Sequence, residues 1–299
     1  MKTTVLYHRS DFDGIFCREI ARKFLPTAEL IGWDYGDPIP AIPPMQGEEQ
    51  PVVYMLDISI DGLMDYPGLI WIDHHKSAID KFPKETAGYR IDGVAACRLA
   101  WQWFANMPNS TPPMIRYPKE DFIDRRVSEP MAVRLAGEYD IWDKRDPNAE
   151  LFQMGLRTRD LETCKWGDRS YWEILRGDNS LTAKAMINDR LTSGTYLQYG
   201  KREENESIIK AAGFTIDFEG LRFLACNHAR YNSFLFTAGL RPEHDACFGF
   251  AWREGQWTVS LYHAPGKEHH DVSKIAVKYG GGGHRGACGF RVKTLPFLS

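Results

Sequence analysis

Gly68-Leu69-Ile70-Trp71-Ile72-Asp73-His74-His75 couples a short apolar run to an acid and two imidazoles. A run of this length with no internal polar residue reads as a strand buried on both faces, as in a parallel sheet. The polar triplet then stands at the strand's carboxyl end. Residues 3–8, 29–35 and 51–58 repeat the apolar pattern; His8, Asp11 and Asp13 follow the first run, and Asp57 follows the third. Between the first two, Phe16, Ile20 and Phe24 recur every four residues while Arg18, Glu19, Arg22 and Lys23 take other faces. That spacing predicts an amphipathic helix from Ile15 to near Pro26, with Gly14 giving the tight turn into it. Alternating strands and helices predict an α/β fold with a parallel sheet, in which ligands collect beyond the carboxyl ends of the strands.

Residues 36–50, with Pro38, Pro40, Pro43 and Pro44, read as a surface loop. Residues 94–105, 131–141 and 181–191 look helical and continue the first domain, and Trp101, Trp103 and Phe104 are placed in its core. The charge run at 201–206 reads as a solvated helix face and marks the passage to a second domain. Beyond it, 214–217, 221–226, 246–252 and 257–262 read as strands separated by Gly or charged turns, followed by a helix-like 271–278. The expected division is 1–205, a metal-binding domain, and 206–299, a smaller α+β domain.

With 299 residues and 43% hydrophobic content the chain can bury a sizeable core. A net charge of −3, with a mildly basic last third, excludes the strongly basic footprint of a duplex-DNA binder. Cys17, Cys97, Cys164, Cys226, Cys247 and Cys288 are scattered, without the spacing of a zinc site or disulfide framework, and point to a reducing cytoplasm. No signal-peptide core and no membrane-length apolar run is present, so no membrane partner is expected.

His8, Asp11, Asp13, Asp57, His74 and Asp140, which closes the amphipathic stretch 131–141, offer six oxygen and nitrogen donors, enough for two divalent metal ions. Mixed carboxylates and imidazoles suit Mn²⁺, Fe²⁺ or Co²⁺ better than Ca²⁺, and Mn²⁺ is the first choice. Two such ions roughly 3.5 to 4 Å apart activate water and neutralise charge on a phosphoryl group. Asp57, alone after its strand, is the natural bridge between them.

Four motifs in order, His8-Arg9-Ser10-Asp11-Phe12-Asp13-Gly14, Asp57, Asp73-His74-His75 and Glu138-Tyr139-Asp140-Ile141-Trp142, make the chain resemble the DHH phosphoesterase family. The resemblance implies that His8, Asp11, Asp13, Asp57, His74 and Asp140 ligate metal, that His75 faces the substrate phosphate, and that Asp73 orients the histidines. Near the other end, Gly280-Gly281-Gly282-Gly283-His284-Arg285-Gly286-Ala287-Cys288-Gly289 is similar to the glycine-rich signature of the DHH-associated C-terminal domain. Gly281, Gly282, Gly283, His284 and Arg285 are therefore candidates for gripping the substrate, through converging backbone N–H groups and two directed side chains. The active site is expected in the cleft between the domains.

By the same resemblance the expected activity is two-metal hydrolysis of short RNA or linear dinucleotides by a 3′-to-5′ exonuclease of oligoribonucleotides, with 3′-phosphoadenosine 5′-phosphate as a further substrate. A polyphosphatase or pyrophosphatase is the alternative enzyme, and a catalytically silent nucleotide-binding regulator the alternative of another class. Base preference and homodimer formation are left open.

Overall fold

The protein is described by a computed structural model covering residues 3–42, 51–82, 86–107, 116–143, 145–158, 174–175, 180–229 and 232–298. Cys164, Arg230 and Tyr231 lie outside the described residues. The chain divides into two compact units, Met1–Leu197 and Gln198–Ser299.

The first unit is built on a parallel sheet of β1 (Thr3–His8), β2 (Glu29–Trp33), β3 (Val52–Leu56), β4 (Leu69–Asp73) and β5 (Ala87–Arg90), in the order β2-β1-β3-β4-β5. Successive residues alternate between two buried faces. Val5, Tyr54, Leu56 and Ile72 join one apolar cluster, and Leu6, Met55 and Trp71 the other. The first cluster packs on α1 (Phe12–Phe24), α3 (Ala96–Ala105), α5 (Met131–Asp140) and α6 (Pro147–Arg157), and includes Trp103 and Phe104. The second includes Ala78 from α2 (Lys76–Lys81). A short α4 (Lys119–Ile123) supplies Phe122 to the first cluster. With β1 flanked by β2 and β3, the connections leave in opposite directions, and a crevice opens at the strands' carboxyl ends.

Two local expectations are corrected. The first helix starts at Phe12 rather than Ile15, because the Asp11 carboxylate caps it by accepting from the Gly14 N–H at 3.0 Å. Arg18 and Glu19 are buried, not on outward faces; Glu19 accepts from Arg18 Nε and Arg22 Nη1, so the pair enters the interior neutralised. The strand β5 adds to the four read from sequence. Gly88 makes it possible, since at φ +135° a side chain would run into the Trp71 backbone of β4.

The helix α7 (Leu181–Ala212) runs much further than residue 191 and carries the 201–206 charge run on exposed positions. The second unit has a six-stranded sheet of β6 (Gly213–Phe218), β7 (Leu221–Asn227), β8 (Ala246–Arg253), β9 (Gln256–His263), β10 (Gly282–His284) and β11 (Ala287–Val292), ordered β10-β11-β9-β8-β7-β6. The β7–β8 pair is parallel and the rest antiparallel. Glu219-Gly220 and Glu254-Gly255, all at positive φ, form the two-residue turns of the β6–β7 and β8–β9 hairpins. One face of this sheet is covered by Val272, by Ile275 and Ala276 of α9 (Ser273–Lys278) and by the C-terminal Leu295 and Phe297; Leu235 and Phe236 of α8 (Ser233–Phe236) belong to a separate cluster. Among the described residues no helix is long and apolar enough to cross a membrane.

Candidate metal centre

His8 ends β1, Asp57 follows β3, and Asp73 ends β4 with His74 and His75 directly behind it. The parallel register places Leu56 beside Ile72 and Tyr7 beside Leu56, so these strand ends sit side by side. Helix α1 begins immediately after β1 and carries Asp13 in its first turn, while Asp140 is the last residue of α5. Three sets of donors converge there: His8 with Asp11 and Asp57; Asp57 with His74 and His75; and Asp13 with His74 and Asp140. Asp57 and His74 each belong to two sets. The sequence reading's six ligand candidates and His75 are thus brought together in the first unit.

Asp57 is the least comfortable residue of the group. It is 1% exposed, and neither carboxylate oxygen has a hydrogen-bond donor. The nearest imidazole nitrogens, His74 Nε2 at 3.4 Å, His8 Nδ1 at 3.5 Å and His75 Nδ1 at 3.9 Å, stand within ion-pair range but donate no hydrogen bond to it. Its backbone is at φ +61°, a conformation that costs a residue with a side chain on the order of 1 kcal/mol or more. Burial, with Asp11, Asp140 and Asp73 nearby, holds its carboxyl well above the usual range. A buried, strained acid that no hydrogen-bond donor meets is the kind of group a bound cation satisfies.

Asp13 is held differently. Its oxygens accept from the Ala96 and Cys97 N–H groups at 2.8 and 2.7 Å, so it caps the start of α3, whose own Ala95 offers no side-chain cap. Its Oδ2 also lies 3.5 Å from His74 Nε2. Burial and then the Asp57 carboxylate push Asp13 up to about 7, and burial followed by Asp13 pushes Asp140 up to about 7. The Asp140 Oδ2 stands 3.2 Å from His74 Nε2. Its acidic neighbours are engaged elsewhere: Glu138 with Arg125 and Arg134, Asp143 with Arg145, and Asp146 with Arg134. Arg125, though exposed, joins the same ion-pair network through Glu138 and Asp146.

His8 Nδ1 is 2.7 Å from Asp11 Oδ2. Burial alone would lower His8, but Asp11 and Asp57 outweigh it and raise it to about 11. Asp73 is fully buried. Its Oδ1 accepts from the His74 and His75 backbone N–H groups and lies 2.7 Å from His75 Nδ1, while Oδ2 accepts from Trp71 Nε1 at 3.1 Å. Asp73 raises His75 to about 9, and the His75 bonds overcome burial to keep Asp73 below the usual range. The Asp73 side chain thus orients the imidazole of His75, and reaches His74 only through its backbone.

The glycine-rich segment lies in the second unit. Gly280, at φ +77°, and Gly281 close α9: their N–H groups donate to Val277 O at 3.0 Å and Ala276 O at 2.8 Å. The Gly281 N–H is accordingly committed to the helix end, a correction to its expected place among donors converging on an anion. Gly282, Gly283 and His284 pair with β11 and are exposed, and Arg285 donates from Nη2 to His269 O at 2.8 Å.

Three features escaped the sequence reading. The anchoring of Asp13 by α3 amides joins residues more than eighty positions apart, and only the small residues of Gly93-Val94-Ala95-Ala96 hint at it. Trp71 Nε1 also bonds Ile58 O and so ties β4 to the segment bearing Asp57. Asp34, directly after β2, lies 3.4 Å from His8 Nε2; its position just past an apolar run was the available signal.

This architecture recurs among solved structures. The DHH domain of a member of the S1p family of ribosomal proteins matches 97% of this chain over 82% of its own, at TM-score 0.52 and 12% identity. The pGpG-specific phosphodiesterase PggH from Vibrio cholerae matches 98% of this chain and 93% of its own, at TM-score 0.49 and 14% identity. RecJ from Thermus thermophilus, solved with Mg²⁺, matches 99% of this chain but 48% of its own, at TM-score 0.46 and 15% identity. No protein-family profile and no curated protein matches the chain. The chain has the fold of DHH-domain proteins.

Proposed function

We propose that the chain is a DHH-family phosphoesterase using two divalent ions, Mn²⁺ first among them, to hydrolyse short oligoribonucleotides or linear dinucleotides. The observation that carries the reading is Asp57, a buried carboxylate with no hydrogen-bond donor, shared by two of the three donor sets. The donors fit the ions: oxygen and imidazole nitrogen, no thiolate in any set, and an excess of carboxylates that cations would neutralise. His8, Asp11, Asp13, Asp57, His74 and Asp140 would hold them, and the ions when bound supply water activation and charge neutralisation at phosphorus.

The chain's own groups do the rest. Asp73, held by Trp71 and two backbone amides, fixes the His75 ring, so that His75 donates to a phosphoryl oxygen. In the second unit Gly282, Gly283, His284 and Arg285 grip a phosphate or nucleotide end. The substrate class follows from family resemblance and from the exposed glycine segment, which offers one arginine rather than the dense basic cluster suited to polyphosphate.

The test is a panel: metal-stripped protein plus Mn²⁺ with pApA, pGpG, longer RNA, 3′-phosphoadenosine 5′-phosphate and polyphosphate. The expected result is fastest turnover of the dinucleotides, falling as RNA lengthens. Turnover of polyphosphate alone would overturn the substrate assignment, and binding of nucleotides without turnover in any metal would favour a silent regulator.

A further inference from the structure

We propose that Asp34 is a positioning residue of the metal centre, acting through His8; this rests on the two-metal reading above. Strand β2 pairs with β1 in parallel, with Trp33 opposite His8 and the Arg9 N–H bonded to Trp33 O at 3.1 Å. The residue after Trp33 must therefore lie against the His8 ring. Asp34 Oδ1 stands 3.4 Å from His8 Nε2, while Nδ1 on the opposite edge faces Asp11 at 2.7 Å and Asp57 at 3.5 Å. The ring thus has an outer nitrogen turned to one carboxylate and an inner nitrogen turned to the donor set. In metal centres this arrangement leaves the proton on the outer nitrogen and the lone pair on the inner one.

Asp34 is itself held in place. The Ser10 hydroxyl donates to its Oδ2, the Tyr35 N–H donates to its Oδ1 at 2.8 Å, and its own N–H donates to Asp37 Oδ2 at 2.8 Å. Asp37 is in turn fixed by Arg9 Nη2 at 3.0 Å. None of these bonds serves the sheet or the core, and together they hold the carboxylate toward the imidazole. Asp34 belongs to none of the three donor sets and lies on the far side of the ring from them, which distinguishes it from a ligand. Its side chain is 37% exposed, so solvent screens its charge and its contribution is orientation.

The experiment is Mn²⁺ titration of the metal-free full chain by calorimetry, with electron paramagnetic resonance of the loaded protein, for wild type, Asp34→Ala, Asp34→Asn, His8→Ala and the double variant His8→Ala/Asp34→Ala. Wild type is expected to bind two ions with an exchange-coupled signal. Asp34→Ala should weaken one ion by about 10- to 100-fold, leave the other unchanged and still reach two ions at saturation. Asp34→Asn should recover most of that loss, because its carbonyl accepts from Nε2–H. In the His8→Ala background Asp34→Ala should add nothing. Wild-type affinity for both ions in Asp34→Ala, saturation at one ion, or an equal further loss in the His8→Ala background would each overturn the positioning role. A wild-type chain that takes up no Mn²⁺ would instead overturn the metal-centre reading, and the role of Asp34 with it.

Discussion

In the second unit the described charged side chains lie off the core, several of them in ion pairs. Lys278 meets Glu219 at 2.7 Å and Arg291 meets Glu254 at 3.5 Å; the buried polar residue there, among those described, is His244, bonded to Thr215 and the Arg241 N–H. In the first unit five carboxylates, Asp11, Asp13, Asp57, Asp73 and Asp140, surround three imidazoles, and the most deeply buried acids divide into satisfied and unsatisfied. Asp73 has four donors; Asp57 has none. A fold tolerates such an arrangement only where something outside the chain completes it. The contrast places the unsatisfied acid in the first unit, beside the three imidazoles.

Breaking the contrast at its centre should have the largest effect. Asp57→Asn, which keeps the volume and tolerates the positive φ, should reduce turnover on the order of 10³-fold or more and abolish the thermal stabilisation that Mn²⁺ gives, with the metal-free melting temperature not lowered. Full activity in a folded variant would remove Asp57 from the site.

The pH dependence comes next. With Asp13 and Asp140 near 7 and Asp57 held well above the usual carboxylate range in the metal-free chain, protons compete with metal below neutrality. Mn²⁺ affinity should rise about tenfold or more per pH unit between about 5 and 7, with protons released on binding, as calorimetry in two buffers would read. Metal-free stability should move the other way. These acids hold protons in the folded state that the unfolded chain, at 3.8, gives up, so their contribution falls as pH climbs from about 4 to 7. His75 and His8, raised to about 9 and 11, contribute stability present below 6.5 and lost as pH passes those values. A flat metal-free melting curve across this range would contradict the electrostatics.

Asp73→Asn replaces an oxygen among four donors by an N–H₂ group and should cost about 1–3 kcal/mol of stability by denaturant titration. It should also return His75 from about 9 toward 6.5, followed by NMR. The second unit sharpens the comparison from the opposite side. Gly283→Ala, at φ +134° and with a Cβ 2.6 Å from Cys288 Cα, should destabilise by about 1–3 kcal/mol and raise KM while leaving Mn²⁺ uptake unchanged. Smallest of all, Lys278→Ala should leave both melting and metal uptake at wild-type values, as a surface pair predicts.

Much of the first sheet is legible in sequence because each of β1 to β4 is an apolar run stopped by a polar residue. The four-residue β5 is not, since Gly88 there answers to the backbone of β4 rather than to any local pattern. Arg18 and Glu19 mislead for a related reason: helical spacing puts them off the apolar stripe, yet their mutual pairing lets them enter the core. The donor residues could be read because they sit at strand and helix ends. Their supports could not: the α3 amides on Asp13 and the Trp71 indole on Asp73 arise from packing. Asp34 had the same signal as Asp57, but Trp33-Asp34-Tyr35-Gly36-Asp37 reads equally well as a turn. Gly281 shows the converse, a glycine in a motif whose N–H the fold uses to finish a helix.

The central claim is that the buried Asp57 carboxylate, which no hydrogen-bond donor meets, would help to hold two divalent cations. Anomalous scattering at the manganese edge from crystals of the Mn²⁺-loaded protein tests it most directly. Two peaks among Asp57, His8, Asp11, His74, Asp13 and Asp140 are predicted. A single peak, or peaks away from Asp57, would contradict the account.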